Sequence, residues 1–167
     1  MALIVEDGTL VANANSYASL ATIKAYAALR GITLGTDPVI ENQAILATDY
    51  IESKRNKFQG LKVLSTQALQ FPRIYLVIDD NEFPENEIPK ELINAECQLV
   101  IEQQKGIELM PTINEAPIKK EVIGPMSTEY AVSEGNIFEP ALLAVDALLQ
   151  PLFKNVSSGF SIKTIRV

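Results

Sequence analysis

The chain has 167 residues, enough for one domain with a substantial core and too few for a second catalytic domain. Apolar residues make up 47%, charged residues 21% and aromatic residues 7% with no tryptophan, a composition that folds rather than staying disordered. The absence of histidine, the single Cys97 and a net charge of −7 exclude imidazole-based triads, His-ligated metals, multi-cysteine zinc sites and intrachain disulfides, and disfavour bulk binding of polyanions.

Leu3 to Val5 and Thr9 to Ala12 flank Glu6-Asp7-Gly8, a turn signal that predicts an extended arm or small hairpin. This start lacks the basic and apolar regions of a signal peptide, and the longest mostly apolar stretch, Ala141 to Leu149, contains Asp146 and is too short to span a bilayer. With one thiol, the expectation is synthesis in a reducing cytoplasm and no membrane. Ser19 can cap a helix from Leu20 to Arg30 that stops at Gly31, with an Ala-rich stripe of Leu20, Ile23 and Ala27 beside Tyr26. Asp37 at the N-cap and Pro38 at the first helical position start a second helix, expected to run to about Lys57. Its stripe is Ile40, Ala44, Ala47 and Ile51, widened by Leu46 and Tyr50.

Leu61 to Ile78 is a connecting segment, with Phe71-Pro72-Arg73 extended and Ile74 to Ile78 a short buried strand or extended run, followed by an acidic loop from Asp79 to Glu87. Pro89 opens a third helix that reaches about Lys105 and ends at Gly106. Its apolar residues, among them Leu92, Ala95, Cys97, Leu99 and Val100, cover more than one face, so this helix should be buried on two sides. Lys119 to Ile123 and Met126 to Tyr130 read as two strands around Gly124-Pro125, and Pro140 opens a short helix through Leu149 that is apolar nearly all round. The expected fold is mainly α: a bundle of about four helices carrying β-hairpin arms, with a domain at 1–153, an inserted hairpin at about 119–130 and an extended tail at 154–167.

No glycine-rich phosphate loop is present, because the glycines stand alone and none precedes Lys-Ser or Lys-Thr at a helix start. The cluster Asp79, Asp80, Glu82, Glu85 and Glu87 lacks the register of a calcium loop and reads as a solvated acidic loop. Cys97 reads as a buried structural thiol, and Glu91 and Glu96, five apart, do not define an acid–base pair. Catalytic residues, metal ligands and cofactors are therefore expected to be absent. Charge distribution is more informative. Ser53 to Arg73 holds five cations and no acid, and Asp79 to Glu108 holds nine acids and two lysines. Two readings stay open: the segments neutralise each other within one copy, or Lys54, Arg55 and Lys57 of one subunit meet Asp79, Asp80 and Glu82 of the next in a head-to-tail contact that closes into a ring. A third, a local nucleic-acid patch, is weakened because only Phe58 and Phe71 lie within the basic segment. The tail residues Phe160, Ile162, Ile165 and Val167, with Lys163 and Arg166, suit an extended segment added to a partner's sheet edge or groove.

The order of Met1-Ala2-Leu3-Ile4-Val5-Glu6-Asp7-Gly8-Thr9, Ala14-Asn15-Ser16-Tyr17, Ala47-Thr48-Asp49-Tyr50-Ile51, Phe58-Gln59-Gly60, Gln67-Ala68-Leu69, Phe71-Pro72-Arg73, Ile88-Pro89, Gly124-Pro125 and Val145-Asp146-Ala147-Leu148-Leu149 resembles a family of tailed-bacteriophage proteins over roughly Met1 to Leu152. These carry the label of DnaT-like single-stranded-DNA-binding proteins and are similar to head-to-tail adaptor, or neck and head-completion, proteins of the virion. The resemblance implies a helical bundle with hairpin arms, assembled as a twelvefold ring between portal and tail components, made in the host cytoplasm and lining the channel of the passing DNA. The label implies a different function, single-stranded-DNA binding in replication. A net acidic chain with few aromatics beside its cations favours the structural function, since phosphate neutralisation supplies most of a DNA binder's affinity.

Overall fold

The computed structural model describes residues 2–110, 120–123, 126–129 and 142–154. Among the described residues four helices carry the fold: α1 (Leu20–Ala28), α2 (Asp37–Ser53), α3 (Lys90–Gln104) and α4 (Leu143–Leu149), the last running into a 3₁₀ turn at Gln150–Leu152. Between α2 and α3 lie four two-residue strands, β1 (Leu61–Lys62) paired antiparallel with β2 (Arg73–Ile74), and β3 (Val77–Ile78) paired antiparallel with β4 (Asn81–Glu82). A third antiparallel pair, β5 (Lys120–Ile123) with β6 (Met126–Glu129), matches the inserted hairpin read from the sequence. The chain is thus mainly α with small β-hairpin arms.

α3 is the central element and packs against α1, α2 and α4. Leu92, Ala95, Cys97, Leu99, Val100 and Ile101 are all buried, as expected for a helix covered on more than one side. The stripe Ile40, Ala44, Ala47 and Ile51 of α2 lies fully in the core, and its alanines let α2 approach closely. Leu46, expected to widen that stripe, is 49% exposed, on a flank that no helix among the described residues covers. Three rings fill the space beneath the strands. Phe71 stands edge-on to Phe58 at 5.0 Å and to Tyr17 at 6.2 Å, contacts that each add about 1 kcal/mol beyond area burial.

Helix ends follow the sequence with small offsets. The Ser19 hydroxyl accepts from Thr22 N, as a cap should, and α1 and α3 give way to left-handed glycines at 31 and 106. Thr36, not Asp37, occupies the N-cap of α2, and Asp37 instead pairs with Lys24 at 2.5 Å. α2 ends at Ser53 rather than Lys57. The Ser53 hydroxyl donates to Tyr50 O, and the next four residues turn so that Phe58 enters the core. α4 is apolar nearly all round in sequence, yet only Val145 and Leu149 are buried and Leu143 is largely exposed, so it packs through one face. Pro140, expected to open it, lies outside the described residues, as does the tail from residue 155 onward.

The N-terminal segment is not a hairpin. Val5 bridges Ser16 in parallel, with Glu6 N donating to Ser16 O and Asn15 N donating to Ile4 O, each at 2.8 Å. The carboxylate of Glu6, almost fully buried, accepts from Gly8 N, Leu10 N and Val11 N at 2.9 to 3.0 Å. One side chain thereby satisfies three of the loop's donors, which would otherwise need a strand partner, and Asp7 takes Thr9 N.

Candidate functional site

Two polar assemblies stand out. The first is internal and joins the N-terminal segment to three other elements. Glu96, on α3, is fully buried, and its two oxygens accept from the Ser16 hydroxyl (2.5 Å), Tyr17 N (2.8 Å) and Ala18 N (3.1 Å), with the Thr48 hydroxyl of α2, which donates to Ala44 O at 3.0 Å, nearby. Burial pushes this carboxyl up to about 7 despite those donors, which favour its charged form. The Tyr17 hydroxyl donates to Glu52 of α2 (2.5 Å) and accepts from Gln70 N (3.1 Å) and Phe71 N (3.3 Å). Burial, then the Glu52 charge, hold the Tyr17 phenol well above its ordinary range, so it stays a proton donor. Burial also raises Glu52.

The same principle organises the loop between β1 and β2, where Phe71-Pro72 is a cis peptide. Gln67 spans it, accepting from Leu64 N and donating to Leu69 O and Pro72 O at 2.9 to 3.0 Å. Arg73 donates to Gln59 O and Gly60 O, both at 2.8 Å, and to Gln70 Oε1 at 3.1 Å. Ser16-Tyr17, Thr48, Gln59-Gly60, Gln67 and Phe71-Pro72-Arg73 therefore act as one scaffold. Sequence reasoning quoted these residues as motifs and missed what ties them together. Glu96 was also missed, although Leu92, Glu96 and Val100 share one helical face at i, i+4 and i+8, which places the acid on a buried stripe.

The second assembly is on the surface. Of the three cations expected at a subunit contact, Lys54 is buried at 8% exposure with its ammonium 4.4 Å from the Tyr50 ring centre, whereas Arg55 and Lys57 are exposed. Lys154 joins them, its backbone N donating to Lys57 O and its ammonium to Asn56 O. Asp79 and Asp80 form the two-residue tip of the β3–β4 hairpin. Both have positive φ (51° and 62°), the geometry of a tight primed turn, and Glu82 lies on β4. So the expected acidic loop is in its first part a hairpin, exposed at Asp79, Asp80 and Glu82. The amide of Gln59 links the two charged regions, donating to Val77 O (2.7 Å) and to Pro151 O (2.8 Å). Among the described residues no ion pair joins Arg55 or Lys57 to Asp79, Asp80 or Glu82. Phe160, Ile162, Ile165 and Val167 lie outside the described residues.

Burial raises the Cys97 thiol to about 12, with the neighbouring Glu96 charge adding to the effect, so it is a core side chain and not a nucleophile. No helix among the described residues is long and apolar enough to cross a membrane. What the geometry defines is a small helical protein whose polar groups are spent inside on holding loops, and whose charges outside are sorted into a cationic turn and an acidic hairpin. The chain belongs to the family described as "Putative DnaT-like ssDNA binding protein", whose model matches residues 1–167. No curated protein and no solved structure matches it.

Proposed function

We propose that this chain is a structural subunit of the tailed-phage virion, a head-to-tail adaptor that forms a twelvefold ring between portal and tail proteins and lets genomic DNA pass without specific binding. It works by geometry rather than catalysis, is made in the host cytoplasm and ends in the neck of the particle. The observation that carries this reading is where the cations go. Arg73 is turned inward onto loop carbonyls and Lys54 onto an aromatic ring, so two of the five cations in the basic segment are unavailable to phosphate. The hairpin that reaches outward is acidic, a surface to which a passing duplex does not adhere. The ordered motifs by which the sequence resembles adaptor proteins support the same reading.

Single-stranded-DNA binding is the second reading. The family description favours it, as does Tyr75, 68% exposed on the segment between β2 and β3, in a protein whose outward cations include Arg55, Lys57 and Lys154. Two measurements separate them. Negative-stain microscopy of the chain mixed with portal should show rings, and Arg55→Glu with Lys57→Glu should abolish them while leaving the unfolding midpoint unchanged. Lys54 is left out of that pair because it is buried. Fluorescence anisotropy with a labelled oligothymidylate should show little binding at any salt. Tight binding that falls steeply between 50 and 200 mM salt, on the order of a hundredfold or more, would overturn the adaptor reading.

A further inference from the structure

We propose that a groove on the β4 side of the β3–β4 hairpin receives the C-terminal segment of a neighbouring copy, Phe160 to Val167, as an added strand. This rests on the ring-subunit reading and names the contact that links one subunit to the next. The groove encloses about 330 Å³ and is lined by Ile74, Tyr75, Glu82, Phe83, Pro84 and Glu85. Tyr75 has φ +59°, in the left-handed region a bulky residue rarely adopts, and this turn of the chain keeps its ring out while Leu76 goes into the core.

The hairpin's hydrogen bonds show which edge is open among the described residues. Phe83 N donates to Leu76 O at 2.8 Å, and Ile78 faces Asn81 at the turn, so Val77 and Glu82 form the alternate, non-bonded pair between them. In an antiparallel ladder the backbone groups of such a pair point away from each other. Those of Val77 point to the inner side, where Gln59 takes Val77 O and also holds Pro151 O. Those of Glu82 point to the outer edge, beside the groove.

The occupant is set by chemistry and by position. Residues 155–167 contain no acid, and Phe160, Ile162, Ile165 and Val167 offer apolar side chains with Lys163 and Arg166 among them. The groove offers Ile74, Phe83 and Pro84 for the former and Glu82 and Glu85 for the latter, with Asp79 and Asp80 at the adjoining tip. The described chain ends at Lys154, whose N donates to Lys57 O on the side of the hairpin where Gln59 also holds Pro151 O, away from the Glu82 edge.

The test uses full-length chains carrying Pro84→Cys or Ile165→Cys, mixed under the conditions that give rings, mildly oxidised and run on non-reducing gels. Cys97 is buried and does not interfere. Cross-linked species from the mixture, and not from either variant alone, are expected. Reversing the groove with Glu82→Lys and Glu85→Lys should cut the yield about tenfold, and adding Lys163→Glu and Arg166→Glu should restore it. Rings without cross-links overturn the groove contact and leave the ring reading standing. No rings and no cross-links overturn both. A double variant, Pro84→Cys with Ile165→Cys, that closes within one dilute chain assigns the groove to the chain's own tail and overturns the proposal, as does a charge swap that fails to restore the yield.

Discussion

Stability should fall as pH rises from about 5 to 7.5, and Glu96 should be the main reason. In the unfolded chain its carboxyl titrates near the ordinary 4.5, whereas in the folded protein burial raises it to about 7. A folded-state value above the unfolded one means the native state holds its proton longer. The stabilisation is therefore complete below 4.5 and is lost as pH climbs through 7. At about 1.4 kcal/mol for each pH unit, the interval is worth about 3 kcal/mol, or about 1 to 2 M in a urea midpoint. Glu96→Gln should remove most of this slope and still fit the site. Its carbonyl can accept from Tyr17 N and Ala18 N, and its amide can donate to the Ser16 hydroxyl, which already contacts Ala18 O at 2.8 Å. At pH 8 the variant should unfold at higher urea than the parent, whereas Glu96→Ala, which strands the buried Tyr17 N and leaves Ala18 N only a long bond to Ser16 Oγ, should lose about 2 to 5 kcal/mol. Urea titrations followed by circular dichroism at pH 5, 6, 7 and 8 give the answer. A parent protein that gains stability over this range, or a Gln variant with the parental slope, would refute the reasoning.

Three further perturbations probe the scaffold. Arg73→Lys should cost about 2 kcal/mol in chemical unfolding, because one ammonium cannot reach Gln59 O, Gly60 O and Gln70 together; parental stability would show that the fork is dispensable. Gly8→Ala should destabilise by about 2 kcal/mol or more, since Gly8 has φ +101° and a Cβ there would sit 2.1 Å from Asn86 O; an unchanged midpoint would mean the N-terminal loop is free to shift. A thiol reagent such as DTNB at pH 8 should leave Cys97 unmodified in the native protein and label it fully in urea, consistent with a buried thiol raised to about 12. Prompt stoichiometric labelling without urea would contradict the core placement.

Much of the architecture is legible in the residues. The apolar spacing of α2 and α3, the Ser19 cap, the glycines after α1 and α3 and the strand pair around Gly124-Pro125 all express local physics, namely periodicity, capping and backbone freedom. The errors share a cause. Glu6-Asp7-Gly8 leaves an extended arm and a small hairpin both open, and the hairpin fails because the buried Glu6 carboxylate collects Gly8, Leu10 and Val11. The stretch after Ser53 reads as helix until Phe58 has to enter the core, and Leu46 reads as core, yet no helix among the described residues covers it.

The composition by itself determined what this protein lacks, imidazole chemistry, disulfides and a net basic charge, and its patterning determined a helical bundle with a central, two-sided helix. Only the tertiary structure decided how the charges are used. Glu96 and Ser16 are 80 residues apart, and Tyr17 reaches Glu52 and Phe71 across 35 and 54 residues, separations at which no sequence period can report contact. Likewise Lys54 and Arg55 are neighbours of the same sign, yet one turns onto Tyr50 and the other faces solvent. Burial and hydrogen-bond satisfaction, which are properties of the folded neighbourhood, separate the residues that build the scaffold from those left free to meet a partner.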